Sequence, residues 1–102
     1  MVEIRWSPQS LEDLENIAEY ISKDSMKFAL IQVQDFFEAA AVLGTYPKVG
    51  RIVPELGNKS VRELIVGVYR LIYRIENSDQ INILTVYHSR RLLKPRSLKR
   101  RS

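Results

Sequence analysis

The sequence predicts an α+β domain in which an N-terminal helical hairpin packs on one face of a small antiparallel sheet. Two amphipathic helical patterns occupy the first half of the chain. The stretch from Val61 to Arg91 is instead rich in Val, Ile, Tyr and Thr, which favour a pleated, half-buried surface. Because helices and strands are segregated along the chain, an α+β class with the order β-αα-βββ is expected.

The first elements are a short strand and two helices. Weak alternation predicts a strand from Val2 to Trp6. Ser7 can then cap a helix whose first turn contains Pro8, where the missing N–H costs nothing. A second helix is expected after Ser25, and the short linker makes the pair an antiparallel hairpin. Two stripes of apolar residues recur every three and four positions: Leu11, Leu14, Ile17, Ala18 and Ile21, then Ala29, Val33, Phe36, Ala40 and Leu43.

The middle of the chain is a loop followed by a strand. Glycines, prolines and an asparagine indicate a loop over residues 48–60, with a short extended piece at Arg51–Val53. A strand is predicted from Val61 to Val66, and Gly67 marks the turn that follows.

The last two predicted strands are Tyr69–Ile75 and Gln80–His88. In Tyr69–Ile75 the alternation places Arg70 and Arg74 on the face opposite the helices. The strand Gln80–His88 is apolar on both faces, so we expect it to be central. The predicted core consists of Leu14, Ile21, Val33, Phe36, Leu71, Tyr73 and Ile83.

Length and composition exclude several classes of protein. With 102 residues, 45% of them apolar, residues 1–102 are expected to form one domain with a modest core. There is no cysteine and only one histidine, His88, so disulfides, thiolate sites and multi-histidine metal sites are excluded. We predict no metal and no cofactor. The sequence has neither a signal-peptide pattern nor an apolar run of about 20 residues, which predicts a cytoplasmic protein without membrane contact.

Charge is distributed unevenly along the chain. Residues 1–47 hold three basic and eight acidic residues, a net charge of −5, whereas residues 48–102 hold thirteen and four, a net charge of +9. The segment from about residue 92 is basic and is expected to be flexible. This asymmetry is typical of a surface whose basic side faces an anionic partner. A soluble protein with a basic tail explains the charge equally well.

The basic residues of the second half form the candidate site: Arg51, Arg62, Arg70, Arg74, His88, Arg90 and Arg91. Arginine pairs bidentately with phosphate, and histidine can transfer protons near neutral pH, so such a cluster could bind or cleave a nucleic acid. Glu63 is a weaker candidate for the base. The structural alternatives are a surface ion pair between Arg62 and Glu63 and a histidine with no catalytic role.

Three stretches of the chain resemble a known superfamily: IRWSPQSLEDLENIAEYI, YPKVGRIVPELGNKSVRELIVGVYRLIYRI and INILTVYHSRRLL. In this order they resemble the toxin superfamily of bacterial type II toxin–antitoxin systems typified by RelE and ParE. The resemblance implies a small antiparallel sheet with a helical hairpin on one face, which agrees with the prediction from periodicity. It also implies a cognate antitoxin as partner.

The resemblance leaves two targets open. RelE-like toxins cleave mRNA in the ribosomal A site, whereas ParE-like toxins poison DNA gyrase. Arg70 matches the position at which the nuclease branch holds the scissile phosphate, and His88 matches a catalytic histidine of several nucleases. However, Arg62 and Glu63 stand near the place of RelE's lysine pair, and no tyrosine follows Tyr87.

The first helix resembles the ParE branch more closely. We therefore rank growth arrest through DNA gyrase first, and ribosome-dependent mRNA cleavage second. Under the second hypothesis Arg70 would clamp the phosphate and His88 would transfer the proton. Electrostatic support would come from Arg51, Arg62, Arg90 and Arg91. A basic nucleic-acid-binding domain without toxicity is the third hypothesis.

Overall fold

The computed structural model describes residues 2–90, and the basic segment from residue 92 lies outside this range. The helices and strands follow the predicted order, and the short extended piece after the hairpin is a two-residue strand. Their bounds are β1 Glu3–Trp6, α1 Pro8–Ser22, α2 Met26–Leu43, β2 Arg51–Ile52, β3 Val61–Val66, β4 Tyr69–Asn77 and β5 Gln80–His88. The α+β class is therefore confirmed.

Serine side chains begin both helices, as predicted. The Ser7 hydroxyl accepts a hydrogen bond from the Ser10 backbone N–H at 3.0 Å, and the Ser25 hydroxyl accepts one from the Phe28 N–H at 3.2 Å. Ser7 also donates to the carbonyl of Leu84 at 2.9 Å, so the start of α1 is tied to β5. None of the helices in residues 2–90 is long and apolar enough to cross a bilayer.

The five strands form one sheet in the order β1-β5-β4-β3-β2. β5, β4, β3 and β2 pair antiparallel, as expected, but β1 runs parallel to β5, with Glu3 opposite Gln80. The sheet is thus mixed. The chain between β1 and β5 holds both helices and three strands, so it is long enough for the crossover that parallel pairing requires. β5 is an interior strand, and β4 occupies the centre.

The main core lies between the helical hairpin and the sheet. Leu14, Phe36, Leu71, Tyr73 and Ile83 belong to it, as predicted. The prediction was wrong for Ile21 and Val33, which are only half-buried and lie outside this cluster. Val33 instead lines the outer groove between the two helices. The other buried members are Ala40, Leu43, Val66, Tyr69, Ile81 and Val86.

A second apolar cluster lies on the opposite face of the sheet, and sequence periodicity did not predict it. It consists of Val53, Val61, Ile72, Leu84 and Tyr87, with Leu56 packed against it. A register shift contributes to it, because Ile72 pairs with Thr85 and Tyr73 with Ile83, which leaves Leu84 without a partner in the register. Part of the loop between β2 and β3 therefore covers the sheet face on which Arg70 and Arg74 were expected.

Candidate functional site

Arg70 and His88, the two residues expected to share a catalytic site, lie on opposite faces of the sheet. Tyr69 pairs with His88 and Arg70 pairs with Tyr87 across β4 and β5. Consecutive residues of a strand point to opposite faces. Accordingly, the Tyr69 ring lies in the helix-side core and meets the His88 ring edge to face at 5.9 Å, whereas the Arg70 guanidinium lies 5.4 Å from the Tyr87 ring centroid.

The Arg70 side chain is on the predicted face, but it is buried among carboxylates. Its two terminal nitrogens donate to the carboxylate of Glu55 at 2.7 and 2.9 Å, and its Nε donates to Glu63 at 2.8 Å. The hydrogen bonds that Arg70 donates to Glu55 raise the pKa of Arg70 above its already high ordinary value, so the guanidinium stays charged. Arg70 was predicted to be available to a nucleic acid. This is corrected, because two carboxylates, Glu55 and Glu63, hold its guanidinium.

Glu63 is a structural ion-pair partner in this arrangement. Glu63 is 1% exposed, and its carboxylate accepts hydrogen bonds from Arg51 as well as from Arg70. The surface pair with Arg62, which was the structural alternative, does not form, because these consecutive residues of β3 point to opposite faces. Arg62 instead donates to the carbonyls of Gly50, at 3.0 Å, and Lys59, at 3.2 Å.

The remaining predicted basic residues do not converge on one point. Arg51 is largely exposed beside Glu63. Arg74 is about one-third exposed, 3.5 Å from Glu76. Arg90 is exposed after the end of β5, and Arg91 lies outside the described residues.

Arg5 is a basic surface residue that sequence reasoning missed. It pairs with Asn82, which in turn pairs with Arg74, so these three residues form a row across β1, β5 and β4. The row lines a groove that also contains Trp6 and Ser7. Arg5 comes to lie beside Asn82 because β1 pairs parallel with β5. The prediction of an antiparallel sheet did not include this pairing.

His88 lines an open pocket of about 480 Å³ between α1 and the end of β5. Its Nδ1 accepts a hydrogen bond from the backbone N–H of Arg90 at 3.2 Å. Tyr69 lies in the wall of the pocket. Burial raises the pKa of its hydroxyl, and the electrostatic effect of the nearby Tyr20 raises it further. The full lining is Asp13, Asn16, Ile17, Tyr20, Tyr69, Val86, Tyr87 and His88.

Asp13 anchors α1 to the sheet beside this pocket. Its carboxylate accepts hydrogen bonds from the hydroxyl of Thr85, from the backbone N–H of Val86 at 3.0 Å and from the amide of Gln9 at 2.8 Å. Its role is structural. Residues 2–90 contain no group of three histidine, aspartate or glutamate side chains placed to hold a metal ion.

Known proteins match most of the chain. Residues 4–93 match the family described as "ParE toxin of type II toxin-antitoxin system, parDE". The chain is 37% identical over 91 residues to the protein named "Putative toxin Y4kP" of Sinorhizobium fredii (strain NBRC 101917 / NGR234), an overlap of 84% of this chain and 86% of that protein. The fold is similar to a chain of the "Chromosomal ParDE TA system from P. aeruginosa", with a TM-score of 0.69, 24% identity, and coverage of 86% of this chain and 96% of that one.

Proposed function

The chain belongs to the ParE toxin family of type II toxin–antitoxin systems, and from this premise we propose that it arrests growth by poisoning DNA gyrase. The match over residues 4–93 is the observation that carries the proposal. It confirms the resemblance to the RelE and ParE superfamily and places the chain in the ParE branch. Gyrase is the target that this branch implies.

The geometry of the described residues supports gyrase over mRNA cleavage. A phosphodiester-cleaving site requires a phosphate clamp and a proton-transfer group within hydrogen-bond reach of one substrate. Arg70 and His88 would have to act across the sheet, because the two residues lie on opposite faces. In addition, the Arg70 guanidinium already donates hydrogen bonds to the carboxylates of Glu55 and Glu63.

A cognate antitoxin is the partner that we propose for neutralisation. The helical hairpin presents large apolar side chains to solvent, and a folding-on-binding segment could bury them. Met26, Phe28 and Leu30 are each more than 60% exposed. Acidic residues of such a segment would complement the net charge of +9 carried by residues 48–102.

The rate of antitoxin association tests this electrostatic part of the proposal. Because opposite charges attract over a longer range when screening is weak, the association rate should fall as salt concentration rises. Stopped-flow measurements at several ionic strengths would determine the dependence. An association rate that does not respond to salt would contradict electrostatic steering.

Two parallel assays test the choice of target. The purified toxin is incubated with DNA gyrase and supercoiled plasmid, and separately with ribosomes translating a defined mRNA. We expect gyrase-dependent double-strand breaks in the plasmid and an intact mRNA. Ribosome-dependent cleavage at defined mRNA positions, with the plasmid intact, would overturn the proposal.

Single substitutions also distinguish gyrase poisoning from mRNA cleavage. His88→Ala should leave DNA breakage unchanged, because no proton transfer is required of this residue in gyrase poisoning. We expect Arg90→Ala, just before the basic C-terminal segment, to weaken DNA breakage more than His88→Ala does. Loss of DNA breakage in His88→Ala alone, with the protein folded, would contradict this assignment of roles.

A further inference from the structure

Strand β1 lies at one edge of the sheet, so one side of its backbone is directed away from the other strands. Among residues 2–90, its neighbour in the sheet is β5 alone. The N–H groups of Glu3 and Ser7 donate to carbonyls in and just before β5, at 2.8 and 3.0 Å. Because the direction of backbone groups alternates along a strand, those of Ile4 and Trp6 point outwards. Such an edge is a template for the addition of another strand.

The side chains of β1 differ sharply between its two faces. Glu3 and Arg5 lie on the face away from the helices, where they form an ion pair and are 58% and 64% exposed. Ile4 and Trp6 lie on the helix side and pack against the main core. The Trp6 ring also meets the ring of Phe37 edge to face, with centroids 5.0 Å apart. The edge thus has one charged face and one apolar face.

We propose that β1 pairs antiparallel with β1 of a second copy of this chain, across a twofold axis at Ile4. In this register Glu3 of each copy lies opposite Arg5 of the other, because the axis exchanges the two positions. Residues directly opposite each other in an antiparallel pair are close enough for ion pairing. The four charged side chains then alternate in sign across the contact, so the edge is complementary to itself.

The charges of β1 select this register over its neighbours. An axis at Glu3 would place two glutamates opposite each other, and an axis at Arg5 would place two arginines opposite each other, which is destabilising. The axis at Ile4 also lets the outward backbone groups of the two Ile4 residues exchange hydrogen bonds. On the helix side it places Trp6 opposite Val2. An edge that carries charge of one sign resists pairing with itself, whereas one acid and one base favour it.

The size of β1 determines how strong this contact is. The strand has four residues, so its pairing buries less than the roughly 1,200 Å² at which standard protein interfaces begin. Phe37, which is 46% exposed beside Trp6, adds apolar surface at the same edge. We therefore expect a weak dimer that forms as protein concentration rises. It does not depend on the target, so it stands or falls separately from the proposal for DNA gyrase.

Reversal of either charge tests the contact by sedimentation velocity over a wide range of protein concentrations. The wild-type chain should show a dimer whose fraction grows with concentration. Glu3→Arg and Arg5→Glu should each weaken self-association by about tenfold, because each places like charges opposite each other at both ends of the contact. Lys59→Glu is the matched control, because it makes the same change of charge as Arg5→Glu in the exposed loop before β3, and it should associate as the wild-type chain does.

A mixture of the two weakened variants is the sharpest test of the register. When Glu3→Arg pairs with Arg5→Glu, every directly opposite pair again joins a base to an acid. The mixture should therefore recover the affinity that each variant alone has lost. A wild-type chain that stays monomeric at all concentrations would overturn the proposal. A mixture that associates no better than its separate components would overturn it as well.

NMR of the wild-type chain keeps the proposal testable if the variants fold poorly. The backbone amide signals of Ile4 and Trp6 should shift as protein concentration rises, whereas that of Ile65, on β3 at the other side of the sheet, should not. Ile4 and Trp6 signals that do not respond to concentration would contradict the dimer. If they respond only when the antitoxin is present, the edge binds the antitoxin and the proposal is overturned.

Discussion

Arg70 and Glu63 form a buried ion pair that joins the two adjacent strands β4 and β3. Their side chains are 6% and 0% exposed, and the Arg70 Nε donates to Glu63 at 2.8 Å. Removal of one partner of such a pair leaves an uncompensated charge in a medium that solvates it poorly. The pair therefore makes Arg70 a residue on which the fold depends, whatever else it binds.

Arg70→Ala should destabilise the protein by about 3–5 kcal/mol because Glu63 would lose this buried partner. Urea denaturation followed by circular dichroism would measure the change in the free energy of unfolding. Arg74→Ala is the matched control on the same strand, and it should cost less than about 1 kcal/mol because its ion pair is partly exposed. Equal stability of the two variants would contradict the structural role of Arg70.

This result determines how a toxicity assay of Arg70→Ala is to be interpreted. The Arg70 side chain points away from the helix-side core, but the second apolar cluster and two carboxylates surround it there. Loss of toxicity in Arg70→Ala must therefore be compared with the fraction of folded protein.

Phe36→Ala should cost about 3–5 kcal/mol, because it leaves a cavity in the main core. Phe36 is fully buried, and its ring meets that of Tyr69 edge to face with centroids 5.5 Å apart. Phe28→Ala provides a control on the same helix, since that ring is 62% exposed. Denaturation midpoints of both variants would test this, and a similar loss in each would be inconsistent with the observed packing.

The sequence predicted those parts of the fold that depend on local signals. Ser7 and Ser25 cap the helices, and the spacing around Phe36 identifies the buried side of α2, because capping and periodicity act within a few residues. The alternation in β4 likewise placed Arg70 on the face away from the helices. Each of these predictions required no knowledge of a distant partner.

The predictions that failed depend on contacts between distant parts of the chain. Alternation shows which face Arg70 occupies, but it does not show that Glu55 and Leu56 from a loop cover that face. The relation of Arg70 to His88 depends on the register between two strands, and a register shift beside Leu84 alters the alternation. No local pattern specifies either feature.

Ionisation of Tyr73 should destabilise the protein in alkaline solution. Burial raises the pKa of its hydroxyl, although the hydrogen bond from Gly50 and the charge of Arg62 act in the opposite direction. The unfolded chain then loses this proton at lower pH than the folded chain. The contribution to stability is complete below about pH 10 and is lost as pH rises through the higher folded pKa.

Tyr73→Phe separates this effect from the hydrogen bonds of the hydroxyl. At neutral pH the variant should lose about 1–3 kcal/mol, because Tyr73 donates to the carbonyl of Pro47 at 2.7 Å and accepts from the N–H of Gly50 at 3.0 Å. Above about pH 10, its stability should fall less steeply than that of the wild-type chain. Identical slopes in urea denaturation from pH 9 to 11 would contradict the proposed role of this hydroxyl.

Gly50 and Gly44 should respond in opposite directions to replacement by alanine. A Cβ at Gly50 would lie 2.5 Å from the carbonyl oxygen of Glu63 and 2.7 Å from the Tyr73 hydroxyl, so the backbone of β3 would have to move. We expect Gly50→Ala to cost about 1–3 kcal/mol, in the range of other overpacked sites. At Gly44 the backbone is helical, with a φ of −64°, and the nearest atom would be 3.4 Å away.

Gly44→Ala should therefore be neutral or should stabilise the protein by up to about 1 kcal/mol, because alanine restricts the unfolded chain more than glycine does. The two variants differ from the wild-type chain by the same single methyl group, so they control for each other in thermal and urea unfolding. A Gly50→Ala variant as stable as Gly44→Ala would show that β3 yields to the added methyl group. That result would contradict the prediction that the close contact of residue 50 with Glu63 and Tyr73 requires a glycine.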